Sequence, residues 1–285
     1  MLCTPDYNRK ATSKQQTDIL FCFCPYAGHP PPHRFDITLG AAYLGSYLKE
    51  HGFHASFYYG MYDNDHGFRQ ILEFVQTTKP RSVGFTVYGY NLPETTALSG
   101  EIIHAYPELP IIWGGPEIRY KPGKIIDRYR QFVDLCIAGE GEKPLLLLMS
   151  HTTPWSDEFL ASIPGVCFIG KKDGKIIQSN PGSTVLQDNA GHLDPQSALD
   201  TYPSPYLKGI IPENYFRDKT VVGILTSRGC PFKCIYCQFS SLTDHKVHFH
   251  SVDRVLSEIE WIRNKVLQFH PEKEDVMIMV YDEAL

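Results

Sequence analysis

The sequence has no hydrophobic run long enough to cross a membrane. Its longest apolar segments, such as Ile19–Cys24 and Val221–Leu225, are far shorter than the roughly 20 residues that a spanning helix needs. Residues 1–18 are polar and lack the apolar stretch of a secretory signal. These absences predict a cytoplasmic protein without a membrane partner.

The chain also lacks a strong excess of charge, an internal repeat and any low-complexity tract. Its 27 basic and 32 acidic residues give a net charge of -5, which offers no electrostatic basis for a nucleic-acid partner. With 285 residues, of which 42% are hydrophobic, the chain can build one large domain or two ordinary ones around a real core.

A disulfide framework is not expected, because no export signal is evident and cytoplasmic thiols stay reduced. Five of the eight cysteines share no spacing, namely Cys3, Cys22, Cys24, Cys136 and Cys167. Among these, Cys22, Cys24 and Cys136 lie within apolar, strand-like runs, where cysteine packs as a small buried hydrophobe. We predict core positions for these three thiols.

Apolar runs alternate with amphipathic stretches through five rounds between residues 13 and 150. The predicted strands are Ile19–Cys24, Phe53–Tyr59, Ser82–Val87, Ile111–Trp113 and Val133–Ala138. The predicted helices are Leu39–Glu50, Phe68–Gln76, Thr95–Ala105, Gly123–Tyr129 and a fifth that opens at Pro144–Met149. This alternation predicts a Rossmann-like, doubly wound parallel sheet with helices on both faces.

Residues 151–219 lose this alternation and are predicted to form a linker. The linker contains a small hairpin, Ile163–Ile169 and Lys175–Ile177, and then proline-rich passages at 193–195 and 202–206. Because proline fixes φ and forbids helix, we expect this segment to lie along the surface rather than to pack.

A second domain is predicted over residues 220–285, as one βαβ unit. Its strands are Val221–Leu225 and a buried Asp275–Tyr281, and its helix is Val252–Val266 with Ser251 as N-cap. The apolar stripe of this helix comprises Val252, Val255, Leu256, Ile259 and Ile262.

Three cysteines in a C-x3-C-x2-C loop follow the first strand of this second domain: Cys230, Cys234 and Cys237. Their thiolates can each ligate one corner of a cubane [4Fe-4S] cluster, which favours cysteine sulfur. The fourth iron would then lack a protein ligand, and the amino-carboxylate group of a cosubstrate can fill it. The loop is expected at the carboxyl edge of the sheet, where α/β folds place their sites.

This motif resembles that of the radical S-adenosylmethionine (radical SAM) superfamily. The aromatic Tyr236 matches the family position whose backbone faces the adenine of the cosubstrate, and Asp282 and Glu283 resemble the site that contacts its methionine amino group. The resemblance implies a partial TIM barrel, reductive cleavage of S-adenosylmethionine, and an external electron donor of flavodoxin or ferredoxin type.

Zinc is the alternative occupant of the cysteine loop. His245, His248 and His250 follow the cysteines, and a Cys3His tetrahedral site is chemically plausible. Structural zinc sites usually pair their cysteines as two knuckles, which a C-x3-C-x2-C triple fits poorly. We therefore favour the cluster and expect the three histidines to be exposed loop residues.

The first domain, the proline-rich linker and the cysteine loop together resemble the cobalamin-binding class of radical SAM proteins. The resemblance is carried by Trp113–Glu117, by Asp134–Glu142 and by Tyr202–Tyr206. It implies that three loops line a corrin, through Thr86, Tyr88, Asn91, Gly114, Gly115, Pro116, Glu117, Gly139, Glu140, Gly141 and Glu142. Glycines at strand ends would let the backbone approach a flat macrocycle. Taken alone, the Gly-Gly-Pro string is also typical of a tight turn, and the Gly-Glu-Gly-Glu string of a helix N-terminus with favourable carboxylates.

No Asp-x-His-x-x-Gly string is present, so a histidine ligand on the lower face of the corrin is not expected; Asp65-His66-Gly67 has the wrong spacing. The resemblance implies a cobalamin-dependent radical methyltransferase acting on a small molecule or peptide. A cyclase or rearrangement enzyme, and a non-catalytic cluster- or zinc-binding protein, are the alternatives. Because later family motifs are missing and the last strand would be an open edge, we expect the sequence to be a fragment of a longer enzyme.

Overall fold

A computed structural model describes residues 16–24, 38–59, 64–180, 198–213, 215–218, 221–237 and 246–283. The chain divides into two compact units, Met1–Thr184 and Val185–Leu285, which we call the first and second units. In the part of the chain that is described, no helix is long and apolar enough to cross a membrane.

The first unit alternates strands and helices, as the sequence predicts. Its strands are β1 (Ile19–Phe23), β2 (Ala55–Tyr59), β3 (Val83–Thr86), β4 (Ile111–Gly114), β5 (Leu135–Ile137), β6 (Val166–Ile169) and β7 (Ile176–Gln178). Its helices are α1 (Leu39–Glu50), α2 (Asn64–Thr78), α3 (Leu92–Ala105), α4 (Pro116–Tyr120), α5 (Pro122–Arg128), α6 (Glu142–Met149) and α7 (Asp157–Ser162).

These strands form one seven-stranded sheet in the order β2-β1-β3-β4-β5-β6-β7. The first five strands in this order are parallel, and β6 and β7 are added antiparallel. The predicted doubly wound sheet is confirmed. Chain order reverses between β1 and β3, which lie side by side, and α/β sheets bind ligands outside the carboxyl ends of the strands at such a switch point.

The core of the first unit lies on the two faces of this sheet. Ile19, Leu20 and Trp113 are fully buried, because strands covered by helices on both faces must be apolar throughout. Cys22, Cys24 and Cys136 are also buried, which confirms their predicted core positions. Burial raises the pKa of the Cys24 thiol to about 12, so this sulfur stays protonated and unreactive.

The first unit extends beyond the predicted end of the domain at residue 150. The hairpin assigned to the linker forms β6 and β7 and continues the main sheet, with Cys167 of β6 directly opposite Cys136 of β5. A further helix, α7, begins after Ser156, whose hydroxyl accepts a hydrogen bond from Phe159 N at 3.2 Å. The hairpin belongs to the sheet because its strand Val166–Phe168 is apolar enough to be buried there.

The second unit contains a short 3-10 helix (Ala198–Thr201), α8 (Tyr215–Asp218), β8 (Val221–Ile224), β9 (Ser227–Arg228), β10 (His248–Phe249), α9 (Val252–Phe269) and β11 (Met277–Val280). Strands β8 and β11 pair in parallel and are joined through α9, as predicted. The predicted cap is also present, because the Ser251 hydroxyl accepts from Arg254 N at 3.3 Å.

Two burial predictions for the second unit are wrong. Val252 and Leu256 of the predicted stripe are 71% and 56% exposed, whereas Ile262 of the stripe is buried as predicted, together with Glu258 and Val266. The residues of β11 are also largely exposed, with Met277 at 64%. Among the described residues β11 pairs with β8 alone. An apolar strand is expected to be covered on both faces, but most side chains of β11 are not covered by these residues.

The proline-rich passage at 202–206 packs instead of lying along the surface. Tyr202, Ser204 and Tyr206 are each less than 5% exposed, and the Tyr206 hydroxyl donates to the carbonyl of Gly223 in β8. The Tyr206 ring also lies 6.0 Å from that of Trp261 in α9. Proline sets the backbone direction here, but the two aromatic side chains that flank the prolines, Tyr202 and Tyr206, supply the packing. The passage at 193–195 lies outside the described residues.

Candidate cofactor sites

The cysteine loop follows β8 and β9 in the second unit. Strand β9 pairs antiparallel with β10, and Cys230 comes two residues after it, 8% exposed. Cys234 and Cys237 are partly buried, and the Cys237 N–H donates to the Cys234 carbonyl at 3.0 Å. This turn places the second and third thiols on one short stretch of backbone.

The donor set of this loop fits an iron–sulfur cluster. Its three potential ligands are all thiols, which such clusters prefer. Phe232, Ile235 and Tyr236 are exposed around them, with Ile235 fully exposed. Contact with the Cys234 thiol raises the pKa of the Tyr236 phenol, so the tyrosine side chain lies against the second cysteine. Within the described ranges, no three His, Cys, Asp or Glu side chains already converge as a metal site.

His248 and His250, which follow the cysteine loop, are not the exposed loop residues that the sequence predicts. His248 lies in β10, partly buried, and His250 is buried beside Asp200, with Nδ1 3.0 Å from Oδ1 of the aspartate. His250 is therefore not an exposed loop residue, because the carboxylate satisfies its ring inside the protein. His245 lies outside the described residues.

Asp282 and Glu283 follow β11 and point their carboxylates at the segment that precedes the cysteines. Asp282 accepts hydrogen bonds from the backbone of Thr226 and Ser227, and Glu283 accepts one from Gly229. The structure thus brings both acidic residues to the segment that precedes the cysteines, through contacts with the backbone of this chain, and their contact with the cosubstrate stays a prediction.

The three loops expected to line a corrin all lie at the carboxyl edge of the sheet in the first unit. In the loop after β3, Asn91 is fully buried. Its side chain donates to the Thr86 carbonyl at 3.1 Å and accepts from Tyr88 N at 2.8 Å. Asn91 therefore closes the turn between β3 and α3, which presents Tyr88 and its neighbours at the sheet edge.

The loop after β4 is fitted tightly against the loop after β3. Gly115 has a φ of 100°, and a Cβ there would lie 2.9 Å from both N and O of Val87. Val87 N donates to the Gly114 carbonyl at 2.8 Å, and Glu117 N donates to the Val87 carbonyl at 3.1 Å. The glycine is thus required by the packing of two loops, a cause that its position at a strand end does not reveal.

The loop after β5 leads into α6. Gly139 has a φ of 100°, and a Cβ on Gly141 would lie 3.0 Å from Leu44. Glu142 is 3% exposed in the first turn of α6, where its carboxylate meets the positive end of the helix dipole. Burial, and then the Glu142 charge, raise the pKa of the Tyr47 phenol.

Two further residues lie at this edge: Tyr90, inside the range 86–91 that the sequence predicts as corrin-lining, and Glu94, which was not predicted. Tyr90 is 50% exposed and stacks on Tyr88 with ring centroids 5.0 Å apart. Glu94, in the first turn of α3, is 9% exposed, and no donor among the described residues reaches its Oε2. A buried carboxylate oxygen without a protein donor fits a ligand rich in N–H groups, such as the amide side chains of a corrin.

A family model for the B12 binding domain matches residues 37–148 of the chain. The matched segment runs from just before α1 to the last turn of α6, and so contains the loops after β3, β4 and β5.

Two curated relatives extend the similarity. The uncharacterized methyltransferase PH0819 of Pyrococcus horikoshii is 25% identical over 222 residues, which cover 78% of this chain and 44% of the relative. The cobalamin-dependent radical SAM methyltransferase TokK of Streptomyces tokunonensis is 25% identical over 190 residues, or 64% of this chain and 25% of TokK. The chain therefore spans less than half the length of these two relatives.

A solved structure shares the fold across almost the whole chain. It is that of the cobalamin-dependent S-adenosylmethionine radical enzyme OxsB with aqua-cobalamin and S-adenosylmethionine bound. The TM-score is 0.69 at 16% identity, and the match covers 94% of this chain and 34% of OxsB. The resemblance to cobalamin-binding radical SAM proteins and the fold class predicted from the sequence are both confirmed.

Proposed function

We propose that this chain acts in a cobalamin-dependent radical SAM methyltransferase. The observation that carries the proposal is the C-x3-C-x2-C loop at the carboxyl end of a parallel strand, in a chain whose residues 37–148 match the B12 binding domain. Both relatives are named as methyltransferases, which supports the same reaction class. Because those relatives are longer, their activity is carried to this chain as a proposal.

Cys230, Cys234 and Cys237 would hold a [4Fe-4S] cluster through three deprotonated sulfurs. When bound, the cluster supplies an electron for cleavage of S-adenosylmethionine, and cobalamin carries the methyl group. The protein positions these cofactors and shields them from water, while the cofactors carry the chemistry. Tyr236, which contacts Cys234, would turn its backbone to the adenine of the cosubstrate.

In the first unit, the loops after β3, β4 and β5 would bind the corrin. Tyr88 and Tyr90 would offer stacked apolar surface to the macrocycle, and Glu94 would accept hydrogen bonds from its amide groups. The loops after β3 and β4 are held to one another by hydrogen bonds and by the close approach of Gly115 to Val87. Such fixed loops preorganise a ligand site, because they need no ordering when the ligand binds.

The remaining partners follow from the same proposal. A small molecule or peptide would be the substrate, and an external flavodoxin or ferredoxin would supply electrons to the cluster.

The test is anaerobic iron–sulfur reconstitution of the full chain, followed by electron paramagnetic resonance of the reduced protein with and without S-adenosylmethionine. We expect a [4Fe-4S]⁺ signal that changes on addition of the cosubstrate. Replacing Cys230, Cys234 or Cys237 with Ala should abolish the signal, because each sulfur ligates one iron. The matched control, Cys167→Ala, should retain it, because that thiol is buried in the sheet of the first unit.

Tightly bound zinc without a cluster would contradict the proposal. The reaction class is tested by chromatography of the nucleoside products: methyl transfer should give S-adenosylhomocysteine as well as 5′-deoxyadenosine. Formation of 5′-deoxyadenosine alone would favour a cyclisation or rearrangement.

A further inference from the structure

The Asp282 carboxylate anchors the backbone of the strand end that leads into the cysteine loop. Asp282 Oδ1 accepts from Thr226 N at 2.8 Å and from Ser227 N at 3.0 Å. Its Oδ2 accepts from the Thr226 hydroxyl. Both oxygens of Asp282 are therefore engaged by two consecutive residues of the strand end that leads into the loop. Hydrogen bonds to a charged acceptor are about twice as strong as neutral ones.

The next anchor lies immediately before the first cysteine. Gly229 N donates to Glu283 Oε2. Gly229 has a φ of 101°, and the space that a Cβ would need there is filled by the Lys246 carbonyl. The backbone that presents Cys230 is thus bounded by Glu283 on one side and by the segment before β10 on the other.

The register of two strands fixes the position of these carboxylates. Met277 to Val280 of β11 pair with Val221 to Ile224 of β8, and Tyr281 N donates to the Ile224 carbonyl at 2.9 Å. The Tyr281 ring lies against Gly223, where any Cβ would collide with it. Since a slip of one residue would turn Asp282 to the other face, this pairing fixes which side chain meets Thr226.

We infer that Asp282 is a positioning residue for the three cysteines, and that Glu283 assists it at Gly229. The carboxylate fixes the backbone direction from which the loop departs before any cofactor is present. This differs from the role that the sequence suggests, in which Asp282 and Glu283 contact the methionine amino group of the cosubstrate. The inference rests on the proposed function only for the identity of the cluster that the cysteines hold.

Two substitutions at residue 282 separate these roles. Asp282→Asn keeps an oxygen that can accept from both backbone N–H groups, and its amide can donate to the Thr226 hydroxyl, which then accepts. The variant therefore keeps the hydrogen bonds to Thr226 and Ser227 and loses the negative charge. Asp282→Ala removes both the hydrogen bonds and the negative charge. Asp275→Asn, at an exposed position just before β11, is the matched control for loss of a charge.

The first measurement is hydrogen exchange of the cluster-free full chain. Asp282→Ala should speed exchange at Thr226 and Ser227 about tenfold or more, because charge-assisted hydrogen bonds are lost. Asp275→Asn should exchange like the wild type, and Asp282→Asn should lie between the wild type and Asp282→Ala, because it keeps the hydrogen bonds but loses the charge that strengthens them. If Asp282→Ala does not fold, Thr226→Val gives the same test, since it removes one of the three hydrogen bonds and should speed exchange at Ser227. Unchanged exchange in the variant that folds would overturn the inference.

The second measurement is iron and sulfide content after reconstitution, together with the resonance change caused by S-adenosylmethionine. We expect Asp282→Ala to lose most of its iron, and Asp282→Asn to keep both its iron and its response to the cosubstrate. An Asn variant that keeps its cluster but no longer responds would make Asp282 a cosubstrate ligand and overturn the inference. If the wild-type chain takes up no cluster, the proposed function fails, while hydrogen exchange still tests the anchor.

Discussion

In the second unit, the pKa values of buried His250 and of its partner Asp200 are both shifted away from their usual values. Burial, and then the nearby charges of Arg254 and Arg228, lower the pKa of His250 to about 4 although it contacts Asp200. Burial acts to raise the pKa of Asp200, but hydrogen bonds from Ser251 and His250 bring it below its usual value. His250 is therefore neutral, and Asp200 charged, in the folded chain near neutral pH.

We predict that the second unit loses stability as the pH falls from about 6.5 towards 4. In that window the unfolded histidine takes up a proton and the folded one does not, so the unfolded state binds more protons. The free energy of unfolding should then fall by at most about 1.4 kcal/mol per pH unit. Asp200 adds a further loss below its unfolded pKa, because its folded pKa is depressed. Urea-dependent hydrogen exchange of α9 at about pH 7 and pH 5 measures the effect.

His250→Asn should flatten this dependence, because asparagine does not titrate. The matched control is His51→Asn at an exposed position of the first unit, which should leave the slope at α9 unchanged. An equal pH slope in the wild type and in His250→Asn would show that the histidine is not the source.

Among the secondary-structure elements, the connection between β4 and α4 requires a glycine, because a residue with a side chain would not fit there. Gly115 joins β4 to α4 with a φ of 100°, and its missing Cβ leaves room for the backbone of Val87. Gly115→Ala should lower the free energy of unfolding by about 1–3 kcal/mol, because both the backbone conformation and the contact become strained. Urea unfolding of the full chain measures the loss.

Gly40→Ala is the matched control for Gly115→Ala. Gly40 lies in the first turn of α1 with nothing within 4 Å of its Cβ position. The substitution should be neutral or stabilising by about 0.4–1 kcal/mol, because alanine restricts the unfolded chain and favours helix. A cost at Gly40 equal to that at Gly115 would contradict the packing argument.

The long elements are those that the sequence could predict. Helix α1 begins and ends at the predicted residues, because its apolar positions repeat with helical period. Helices α4 and α7 were not predicted, since five or six residues are too few to show a period. Burial of β11 was predicted wrongly, because an apolar run shows what a strand would bury but not whether a neighbour covers it.

Some residues of the candidate sites could also be predicted from the sequence, and others could not. The three cysteines are visible in the sequence because their ligand spacing is local. The hydrogen bonds of Asp282 to Thr226 join residues 56 positions apart. The Glu94 carboxylate is notable only for its burial and for an Oε2 that no donor in the described part of the chain reaches. Such features depend on tertiary packing, which a local pattern does not contain.

For the whole molecule, we predict that cobalamin and the cluster load independently. The residues proposed for each cofactor lie within a different compact unit of the chain. The triple variant Cys230→Ala, Cys234→Ala and Cys237→Ala should therefore retain cobalamin as the wild type does, measured by equilibrium dialysis with hydroxocobalamin. Conversely, Tyr90→Ala should weaken cobalamin retention, because a stacked ring is lost, and should leave the iron content unchanged. Loss of cobalamin from the triple variant would contradict this division.

The anchor of the cysteine loop also sets an order of events during synthesis. The ribosome adds Asp282 56 positions after Thr226, which at ordinary translation rates takes about 3 to 11 seconds. From the addition of Cys237 until the end of that interval, the three thiols have been made but the carboxylate that directs their loop has not. The nascent chain therefore passes through a stage with unanchored cysteines, and cluster delivery belongs after the addition of residue 282.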